Sequence, residues 1–447
     1  MIPPDHWLAA RPDIRTIRVA AADVNGQARG KRMPARMAPS VEKSGTRFPL
    51  SVLNLDIWGE DIQDSPLVFD SGDQDGVLMP TERGFVPMPW LEAPTALLPM
   101  WMFHEDGTPF DGDPRQALAR VVERYAALGL TPVVATEMEF YLIDDSTRKL
   151  RVPKSPKSGK RRPGAETLAL RALDAFDVFF TQLYEACEVM DIPAESAISE
   201  AGLGQFEINL SHGPDALRAA DDAFLFKQMV KGLSRKHGFA ASFMAKPYDD
   251  YAGNGMHVHF SMLDRDGNNI FNDGSSAGTD IMRSAIAGCL RAIPDSTLIF
   301  APHGNSYDRL VPGAHAPTRI CWAYDNRTAA VRVPGGAAAA RRIEHRVSGG
   351  DVNPYLMIAA VLGAALTGIE DNLTAPPPIT GNAYAQPLPE MPGDWEAALE
   401  TFENSKMIRR IFPDEMVQNF ALTKRQELVD YQELTPEEQI ELYLDTV

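Results

Sequence analysis

Cysteine is scarce in this chain, and the few that occur are far apart. Cys187, Cys289 and Cys321 are the three cysteines, and no CxxC-type pair exists. An odd number of widely spaced cysteines argues against a disulfide framework and excludes a paired-thiolate zinc motif. The pattern is typical of a protein kept in a reducing compartment, so we expect a cytoplasmic location.

Long hydrophobic segments are missing as well. Residues 1–18 carry several charges and contain no apolar stretch of the kind that signal peptides have. The longest uncharged apolar run extends from Tyr355 to Ile369, which is shorter than the roughly 20 residues that a membrane span needs. We therefore expect a core helix at this run and no membrane partner.

Positive charge is also in short supply. The formal net charge is −18, which argues against broad binding to nucleic acid or to anionic membranes. The basic segment 147–164 contains no aromatic residue, so we expect a solvated loop there rather than a nucleic-acid patch. A Walker A motif is absent too, so any phosphate group would have to be held by side chains and metal ions.

What the sequence does contain is a repeated alternation of polar and apolar residues. After the glycines 253 and 255, the segment 256–262 places His257, His259 and Ser261 on one side of a predicted strand. Imidazoles are an unusual choice for a plain solvent-facing strand. The same alternation recurs in stretches that carry Glu137 and Glu139; Gln205, Glu207 and Asn209; Arg342, Glu344 and Arg346; and a run flanked by Arg327 and Arg332.

We interpret these stretches as strands of one curved sheet with a polar concave face. The chain of 447 residues is long enough to bury a large core, and the predicted fold class is α+β. Residues 1–105 contain short strands and an Asn25-Gly26 turn signal, which predict a small strand-rich domain. Residues 106–447 form the large α/β domain, with helices predicted at 113–128, 172–190, 216–237, 279–301, 353–371 and through most of 395–447.

Six side chains on or near these strands form an oxygen-rich set with a single imidazole. The six are Glu137, Glu139, Glu200, Glu207, His257 and Glu344. Each has an ordinary structural explanation by itself, as a surface carboxylate or a hydrogen-bonded core histidine. Together they suit Mg²⁺ or Mn²⁺ better than zinc. Carboxylates with arginines nearby are also what phosphoryl transfer requires.

At these residues the chain resembles the glutamine synthetase family, type I, over nearly its whole length. The resemblance rests on seven stretches taken in order, which are 137–140, 200–207, Lys246-Pro247, 253–259, 305–313, 326–334 and 341–346. It implies a β-grasp-like N-terminal domain and a catalytic domain built on an antiparallel half-barrel sheet. It also implies a dodecamer of two hexameric rings, in which neighbouring subunits share each active site.

The activity that the resemblance implies is an ATP-dependent ligation of glutamate to an amine through γ-glutamyl phosphate. Carried over by position, Glu139, Glu200 and Glu207 would bind one metal ion, and Glu137, His257 and Glu344 the other. The residues expected to bind glutamate and the acyl phosphate are Gly253, Arg309, Arg327 and Arg346. Those expected on the nucleotide side are His259, Ser261, Arg332 and Arg342. Asp56, Arg309, His315 and Arg327 are the candidate catalytic residues.

Departures from the family pattern concern the amine site above all. His315 stands where glutamine synthetases have a glutamate that binds ammonium, and imidazole attracts a small cation poorly. Asp56 keeps a carboxylate in surroundings that differ from the usual Asp-Gly-Ser-Ser. Two further differences are alanines, Ala252 in place of an asparagine and Ala339 in place of a lysine. These changes resemble the branch of the family that includes γ-glutamylpolyamine synthetases.

We therefore expect an organic amine, such as a polyamine, as the acceptor. The acidic run Asp56, Glu60, Asp61 and Asp64 could accommodate a cationic chain, although a solvated loop explains it equally well. Three alternatives stay open. They are a true glutamine synthetase that uses ammonia, a γ-glutamyl ligase for another amine such as ethanolamine, and a family member that has lost turnover.

Overall fold

Two β-sheets organise the chain, and they take their strands from separate parts of the sequence. The computed structural model describes residues 2–3, 6–147, 150–162, 164–313 and 316–447. The first sheet contains strands β1 to β6, which are Thr16–Ala22, Ala28–Pro34, Thr46–Pro49, Asp75–Pro80, Val86–Pro87 and Thr95–Phe103. Their order is β2-β1-β6-β4-β3, with β5 paired to β6. The short helix α1 (Ala38–Ser44) connects β2 to β3.

The hairpin predicted at residues 14–34 is present, with a slightly longer loop than the turn signal indicated. The NH of Asp23 donates to Gln27 O over 2.9 Å, and the NH of Gly26 donates to Asp23 O over 2.9 Å. Gly26 has a φ of 74°. This is a type I turn followed by a left-handed residue, a common three-residue hairpin loop. The carboxylate of Asp23 accepts from the backbone NH groups of Asn25 and Gln27. These hydrogen bonds favour the three-residue loop over a two-residue turn.

The second sheet carries every polar stripe that the alternation identified. Its strands β7 to β14 are Thr131–Ile143, Ala194–Ser199, Gln205–Leu210, Ala240–Ser242, Met256–Leu263, Trp322–Tyr324, Val331–Val333 and Ile343–His345. The order is β12-β13-β14-β11-β7-β9-β8, with β10 paired to β7. All pairs are antiparallel except β12 with β13. The predicted curved half-barrel sheet is confirmed, with this one parallel pair as a correction.

Helices cover the apolar side of the second sheet and continue to the C-terminal end. They are α2 (Pro114–Ala127), α3 (Leu170–Asp174), α4 (Asp177–Met190), α5 (Ala216–Lys236), α6 (Asp280–Phe300), α7 (Ser306–Arg309), α8 (Pro354–Glu370), α9 (Trp395–Asn404), α10 (Lys406–Ile411), α11 (Asp414–Gln432) and α12 (Pro436–Thr446). Asp113 caps α2 as predicted, because its carboxylate accepts from Arg115 N over 2.7 Å. The apolar run of α8 is buried, as expected for a core helix.

The single helix predicted at residues 172–190 is wrong, because the chain breaks between α3 and α4. Phe176 leaves helical geometry at φ −125° and ψ 29°. Its ring packs edge-on against Phe206 and Phe239, with centroid distances of 5.9 and 5.7 Å. Burial of this aromatic ring against the sheet outweighs the continuous helical periodicity of the segment.

Contacts between the N-terminal and C-terminal parts of the chain are polar and buried. Lys424 Nζ on α11 donates to Asn25 Oδ1 over 2.6 Å, and Asn25 Nδ2 donates to Glu427 Oε1 over 2.7 Å. The predicted division at residue 105 stays a prediction. Within the described ranges, no helix is long and apolar enough to cross a membrane.

Candidate active site

The register of the second sheet brings the predicted polar residues side by side. His257 on β11 pairs with Glu137 on β7, and Glu139 on β7 pairs with Glu207 on β9. Glu344 on β14 pairs with His259 on β11. Side chains of directly paired residues lie about 5 Å apart on one face of a sheet. The alternation seen in the sequence therefore concentrates carboxylates and imidazoles on the concave face.

Glu137 contacts both histidines of β11. Its Oε2 lies 3.1 Å from His257 Nδ1 and its Oε1 lies 2.9 Å from His259 Nε2. Burial alone would raise the pKa of Glu137, but the two imidazole contacts hold it well below its ordinary value. Burial, followed by the charge of Arg346, lowers the pKa of His257 to about 4. His257 is therefore neutral at physiological pH, which is the form that ligates a metal ion.

Glu139, Glu200 and Glu207 are crowded at the neighbouring position, where burial and mutual repulsion outweigh the charges of Arg309 and Arg346. Burial and then the charge of Glu200 raise the pKa of Glu139 to about 7. Burial and then the charges of Glu137, Glu139 and Glu200 raise the pKa of Glu207 to about 9. Like-charged carboxylates that share a site resist ionisation unless a cation lies between them.

Glu344 is fully buried and has two arginine partners. Its Oε2 accepts from Arg332 Nη1 over 2.7 Å, and its Oε1 accepts from Arg346 Nη1. Burial by itself would raise the pKa of Glu344, but Arg346 and the two histidines bring it down to about 2. Arg332 also contacts Asp325 over 2.8 Å. Glu344 is therefore ionised throughout the physiological range.

Two groups on this face have the donor atoms and the spacing that a cation needs. In Glu137, His257 and Glu344, one ligand atom from each residue lies within 4.8 Å of the others, and the same holds for Glu139, Glu207 and His257. Carboxylate oxygens with one imidazole fit Mg²⁺ or Mn²⁺. The raised pKa values of Glu139 and Glu207 also fit a site that a divalent cation completes. Glu200 belongs to neither group by this distance, although its charge acts on both Glu139 and Glu207.

Gly253 and Arg309 lie beside the carboxylates and pack tightly against each other. A Cβ atom on Gly253 would be 2.4 Å from Ala245 O and 2.8 Å from Arg309 Cγ, so this position accommodates only glycine. Arg309 is buried and donates to Val347 O over 2.7 Å. Its guanidinium charge acts on Glu139. An anionic substrate group next to Glu139 would therefore meet a fixed guanidinium.

Residues 111–443 match the family model described as glutamine synthetase, catalytic domain. The chain belongs to the glutamine synthetase family. The matched range contains the whole second sheet and all predicted metal ligands, so the family resemblance inferred from the sequence is confirmed.

Several members of this family are similar to the chain over most of its length. The gamma-glutamylputrescine synthetase of Escherichia coli (strain K12) is 34% identical over 442 residues, covering 98% of this chain and 93% of the relative. The gamma-glutamylethanolamide synthetase of Streptomyces coelicolor is 33% identical over 425 residues, covering 95% and 91%. A solved complex of GmaS with ADP superposes with a TM-score of 0.84 at 27% identity, covering 98% of both chains. Relatives named glutamine synthetase match at 29% to 33% identity.

Not every residue expected from the glutamine synthetase family joins the cluster. Arg342 does contact it, because its Nε donates to His259 Nδ1 over 3.2 Å. Ser261 lies further along β11, opposite Val133. Arg327 is exposed in the turn between β12 and β13, and its charge acts on Asp325. The predicted position His315 lies outside the described residues.

Asp56 lies in the N-terminal part, and its described contacts are remote from the carboxylate cluster. Its Oδ1 accepts from Glu60 N over 2.8 Å, and its Oδ2 accepts from Gln426 Nε2 on α11 over 3.0 Å. A role in catalysis within the same chain finds no support in these contacts.

Sequence reasoning missed the supporting role of Gln205 and the groups around Lys246. Gln205 Nε2 donates to Gly253 O over 2.9 Å and to Asn254 Oδ1 over 3.0 Å. The backbone NH of Lys246 donates to Asn305 Oδ1 over 2.9 Å, which links the glycine-bearing loop to the segment of Arg309. The sequence identified Gln205 as part of a polar stripe and of the stretch 200–207, but not its partners, because alternation shows the face of a strand and not what the side chain contacts.

Proposed function

We propose that this protein joins the γ-carboxylate of glutamate to a primary organic amine, with ATP as the co-substrate. The observation that carries the proposal is the concave face, on which five carboxylates, two histidines and buried arginines converge within a glutamine synthetase fold. The broader class, an ATP-dependent glutamate–amine ligase, is confirmed by the family and by the relatives. The organic acceptor, as opposed to ammonia, is the proposed part.

The proposed metal ligands are two groups on the concave face. Glu137, His257 and Glu344 would hold one divalent ion, and Glu139, Glu207 and Glu200 the other. Mg²⁺ and Mn²⁺ both suit these oxygen-rich donor sets. When bound, such ions neutralise and orient the phosphate oxygens of ATP. Titrating Mg²⁺ and Mn²⁺ separately into the metal-free protein would show which of the two ions it binds more tightly.

The arginines and Gly253 are proposed to hold the reacting anions. Arg309 and Arg346 would hold glutamate and the acyl phosphate beside Glu139, with Arg327 joining them when the substrate is bound. His259, Ser261, Arg332 and Arg342 would line the nucleotide side. Fixed guanidinium groups can hold the charge that moves between transferring oxygens at no cost in reorganisation.

The proposed reaction has two steps. A γ-carboxylate oxygen of glutamate attacks the γ-phosphorus of ATP, so a new O–P bond forms and ADP leaves. The amine nitrogen then attacks the γ-carbonyl carbon, the bond from that carbon to the phosphate oxygen breaks, and inorganic phosphate leaves. An amine that arrives as an ammonium ion releases two protons in total.

Support for an organic amine comes from two directions. Relatives named for putrescine and ethanolamide reach 34% and 33% identity, and His315 replaces the expected carboxylate. A phosphate-release assay with glutamate, ATP and a panel of amines tests the proposal. We expect a primary organic amine to have a kcat/KM at least tenfold above that of ammonia. Ammonia as the best acceptor would establish a true glutamine synthetase, and thermal stabilisation by Mg²⁺-ATP without any phosphate release would indicate a silent member.

A dodecamer of two hexameric rings is proposed from the family, with Asp56 serving the site of a neighbouring subunit. The contacts of Asp56 with α11, away from the cluster of its own chain, support this arrangement. Mixed oligomers of Asp56→Asn and Glu137→Gln subunits provide the test. We expect them to recover part of the activity that each variant lacks alone, whereas no recovery would place Asp56 outside a shared site. A cytoplasmic location stays a prediction.

A further inference from the structure

The loop of residues 252–255, which we call the glycine loop, lies between β10 and β11 and is tied to strand β7. The carbonyl of Ala252 accepts from the Tyr141 hydroxyl over 2.6 Å. The NH of Gly255 donates to Glu139 Oε2 over 2.7 Å. Because both side chains belong to β7, the position of the glycine loop depends on the strand that carries two of the proposed metal ligands.

The central peptide group of the glycine loop, between Gly253 and Asn254, is fixed at both ends. Its NH, on Asn254, donates to Ala245 O over 2.8 Å. Its carbonyl, on Gly253, accepts from Gln205 Nε2 over 2.9 Å. Gln205 Nε2 also donates to Asn254 Oδ1 over 3.0 Å. Gln205 therefore holds the glycine loop at the residue that is proposed to contact glutamate.

The same amide of Gln205 reaches a proposed metal ligand. Its Nε2 lies 3.4 Å from Glu139 Oε2, so one nitrogen with two hydrogens serves three acceptors. Its Oε1 accepts from Gly202 N over 2.9 Å. Because an NH can only donate and a carbonyl can only accept, these partners fix which end of the amide faces the glycine loop. The bond to Glu139 is the longest of the three and therefore the weakest.

Gln205 also closes the turn between β8 and β9, which begins at Glu200. The NH of Gln205 donates to Gly202 O over 3.0 Å, and its carbonyl accepts from Glu200 N over 3.0 Å. A Cβ atom on Gly202 would overlap the Tyr141 hydroxyl and lie 2.8 Å from Gln205 Oε1, so the turn packs directly on both side chains. Gln205 therefore contacts three parts of the site, namely the hairpin of β8 and β9, strand β7 and the glycine loop.

Burial makes the hydrogen bonds of Gln205 depend on one another. Gln205 is 2% exposed, and water does not replace a hydrogen bond that a buried amide loses. A change at the Glu139 carboxylate, such as the binding of a cation, therefore alters how the amide divides its two hydrogens. Gly253 O and Asn254 Oδ1 then receive the stronger bonds, and the glycine loop becomes more tightly held.

We propose that Gln205 is a positioning residue that couples cation binding at Glu139 to glutamate binding at the glycine loop. Glutamate then binds more tightly when the cation is present, and the cation gains affinity from glutamate by the same factor, because coupling between two ligands is reciprocal. The inference rests on the proposed ligase function and adds to it a side chain that acts through Glu139 and Gly253.

Titration calorimetry of glutamate, with and without Mn²⁺, measures this coupling. For the wild-type protein we expect Mn²⁺ to lower the glutamate Kd by about fivefold or more, as is usual for coupled sites. Gln205→Met keeps the length of the side chain and removes the amide. In this variant the factor should fall to about twofold or less, while the Kd of Mn²⁺ measured without glutamate stays within about threefold of the wild-type value.

Steady-state kinetics distinguish positioning from a general loss of structure. In Gln205→Met the KM for glutamate should rise by about tenfold, while kcat and the KM for ATP stay within about threefold. A structural defect would instead lower kcat and raise both KM values together. That second pattern, seen in Gln205→Met, would count against the proposal.

Gln418→Met provides the matched control, because Gln418 is an exposed glutamine on α11. It should leave the coupling unchanged. Gln205→Glu is a second variant, since it keeps the acceptor for Gly202 N and loses the donors to the glycine loop. It should lose the coupling without weakening the binding of Mn²⁺. A wild-type coupling factor in both variants of Gln205 would overturn the assignment, and so would a wild-type protein in which Mn²⁺ leaves the glutamate Kd unchanged.

Hydrogen–deuterium exchange separates this inference from the ligase function, because it needs no substrate. Adding Mn²⁺ should slow exchange at the NH groups of Asn254 and Gly255 by about threefold or more in the wild-type protein, and by much less in Gln205→Met. That result would uphold the coupling even if no amine supported turnover. Equal slowing in both proteins would reject it, even if the protein proved to be an active ligase.

Discussion

At two corners of the same concave face, one around Glu344 and the other around Glu207, the pKa values of buried carboxyls shift in opposite directions. At Glu344, two arginines supply the opposing charge, and the pKa of this carboxyl falls to about 2. At Glu207, the nearest charges are other carboxylates, and its pKa rises to about 9. The first corner is electrostatically complete with protein groups alone. The second consists of carboxyls that hold their protons near neutral pH, and a divalent cation bound there would add the most opposing charge.

The largest effect expected from this comparison is on the free energy of unfolding when the first corner, that of Glu344, is changed. Glu344→Gln removes the charge that Arg346 and Arg332 face inside the protein. Breaking a buried ion pair by removing one partner costs about 3 kcal/mol. We expect a corresponding loss in the free energy of unfolding, measured by denaturant titration without metal. Glu188→Gln, at an exposed carboxylate on α4, is the control, and a Glu344→Gln variant as stable as that control would remove the distinction between the corners.

A somewhat smaller effect is expected from the metal ion. Mg²⁺ or Mn²⁺ at 100 times its Kd should stabilise the wild-type protein by about 2.7 kcal/mol for one site. In Glu207→Gln the same metal concentration should stabilise much less, because a ligand and a charge are missing. Thermal unfolding with and without EDTA measures this. Equal stabilisation of both proteins would show that Glu207 is not a ligand.

Glu207→Gln should also change the metal-free protein in the direction opposite to Glu344→Gln. Replacing a carboxylate that its neighbours repel should increase the free energy of unfolding by about 1 kcal/mol in EDTA at pH 8. The same denaturant titration gives the answer. If both substitutions destabilise the metal-free protein, the repulsion inferred at the second corner is not there.

The smallest effect concerns pH. The folded-state pKa of Glu207 is raised above the ordinary value of 4.5, so this carboxyl keeps its proton in the folded protein at pH values where the unfolded chain has lost it. Buried histidines such as His257 act in the opposite direction below about pH 6.5, so the stability of the metal-free protein should fall as pH rises from about 7 to about 9. Saturating metal should flatten the dependence. The check is a series of melting temperatures at fixed ionic strength, and a metal-free stability that rises with pH would have the wrong sign.

Sequence alternation predicted the concave face well because a strand has a period of two. Once Glu137, Glu139, His257 and Glu344 were assigned to strands, their common face followed from geometry alone. The pairing of strands did not follow, since the contact of His259 with Glu137 depends on a register that long-range packing sets. The break at Phe176 was missed for a similar reason, because burial against Phe206 is invisible to local periodicity.

The structure also contains a cavity beside Tyr248 that was not predictable from the sequence. Its walls come from residues near 150–162, 247–251 and 437–440, which are far apart along the chain. The segment Tyr248-Asp249-Asp250-Tyr251 carried the only local signal, and it resembles an ordinary polar loop. The N-terminal acidic run near Asp56 was suggested by the sequence as a place for a cationic chain, and in the structure Asp56 Oδ2 accepts from Gln426 Nε2 on α11.

The most direct test of the central claim is an anomalous diffraction map from crystals soaked in Mn²⁺. We predict two peaks on the concave face of the second sheet, one among Glu137, His257 and Glu344, and the other between Glu139 and Glu207. A map without a peak at either position, or with manganese bound only elsewhere, would contradict the account.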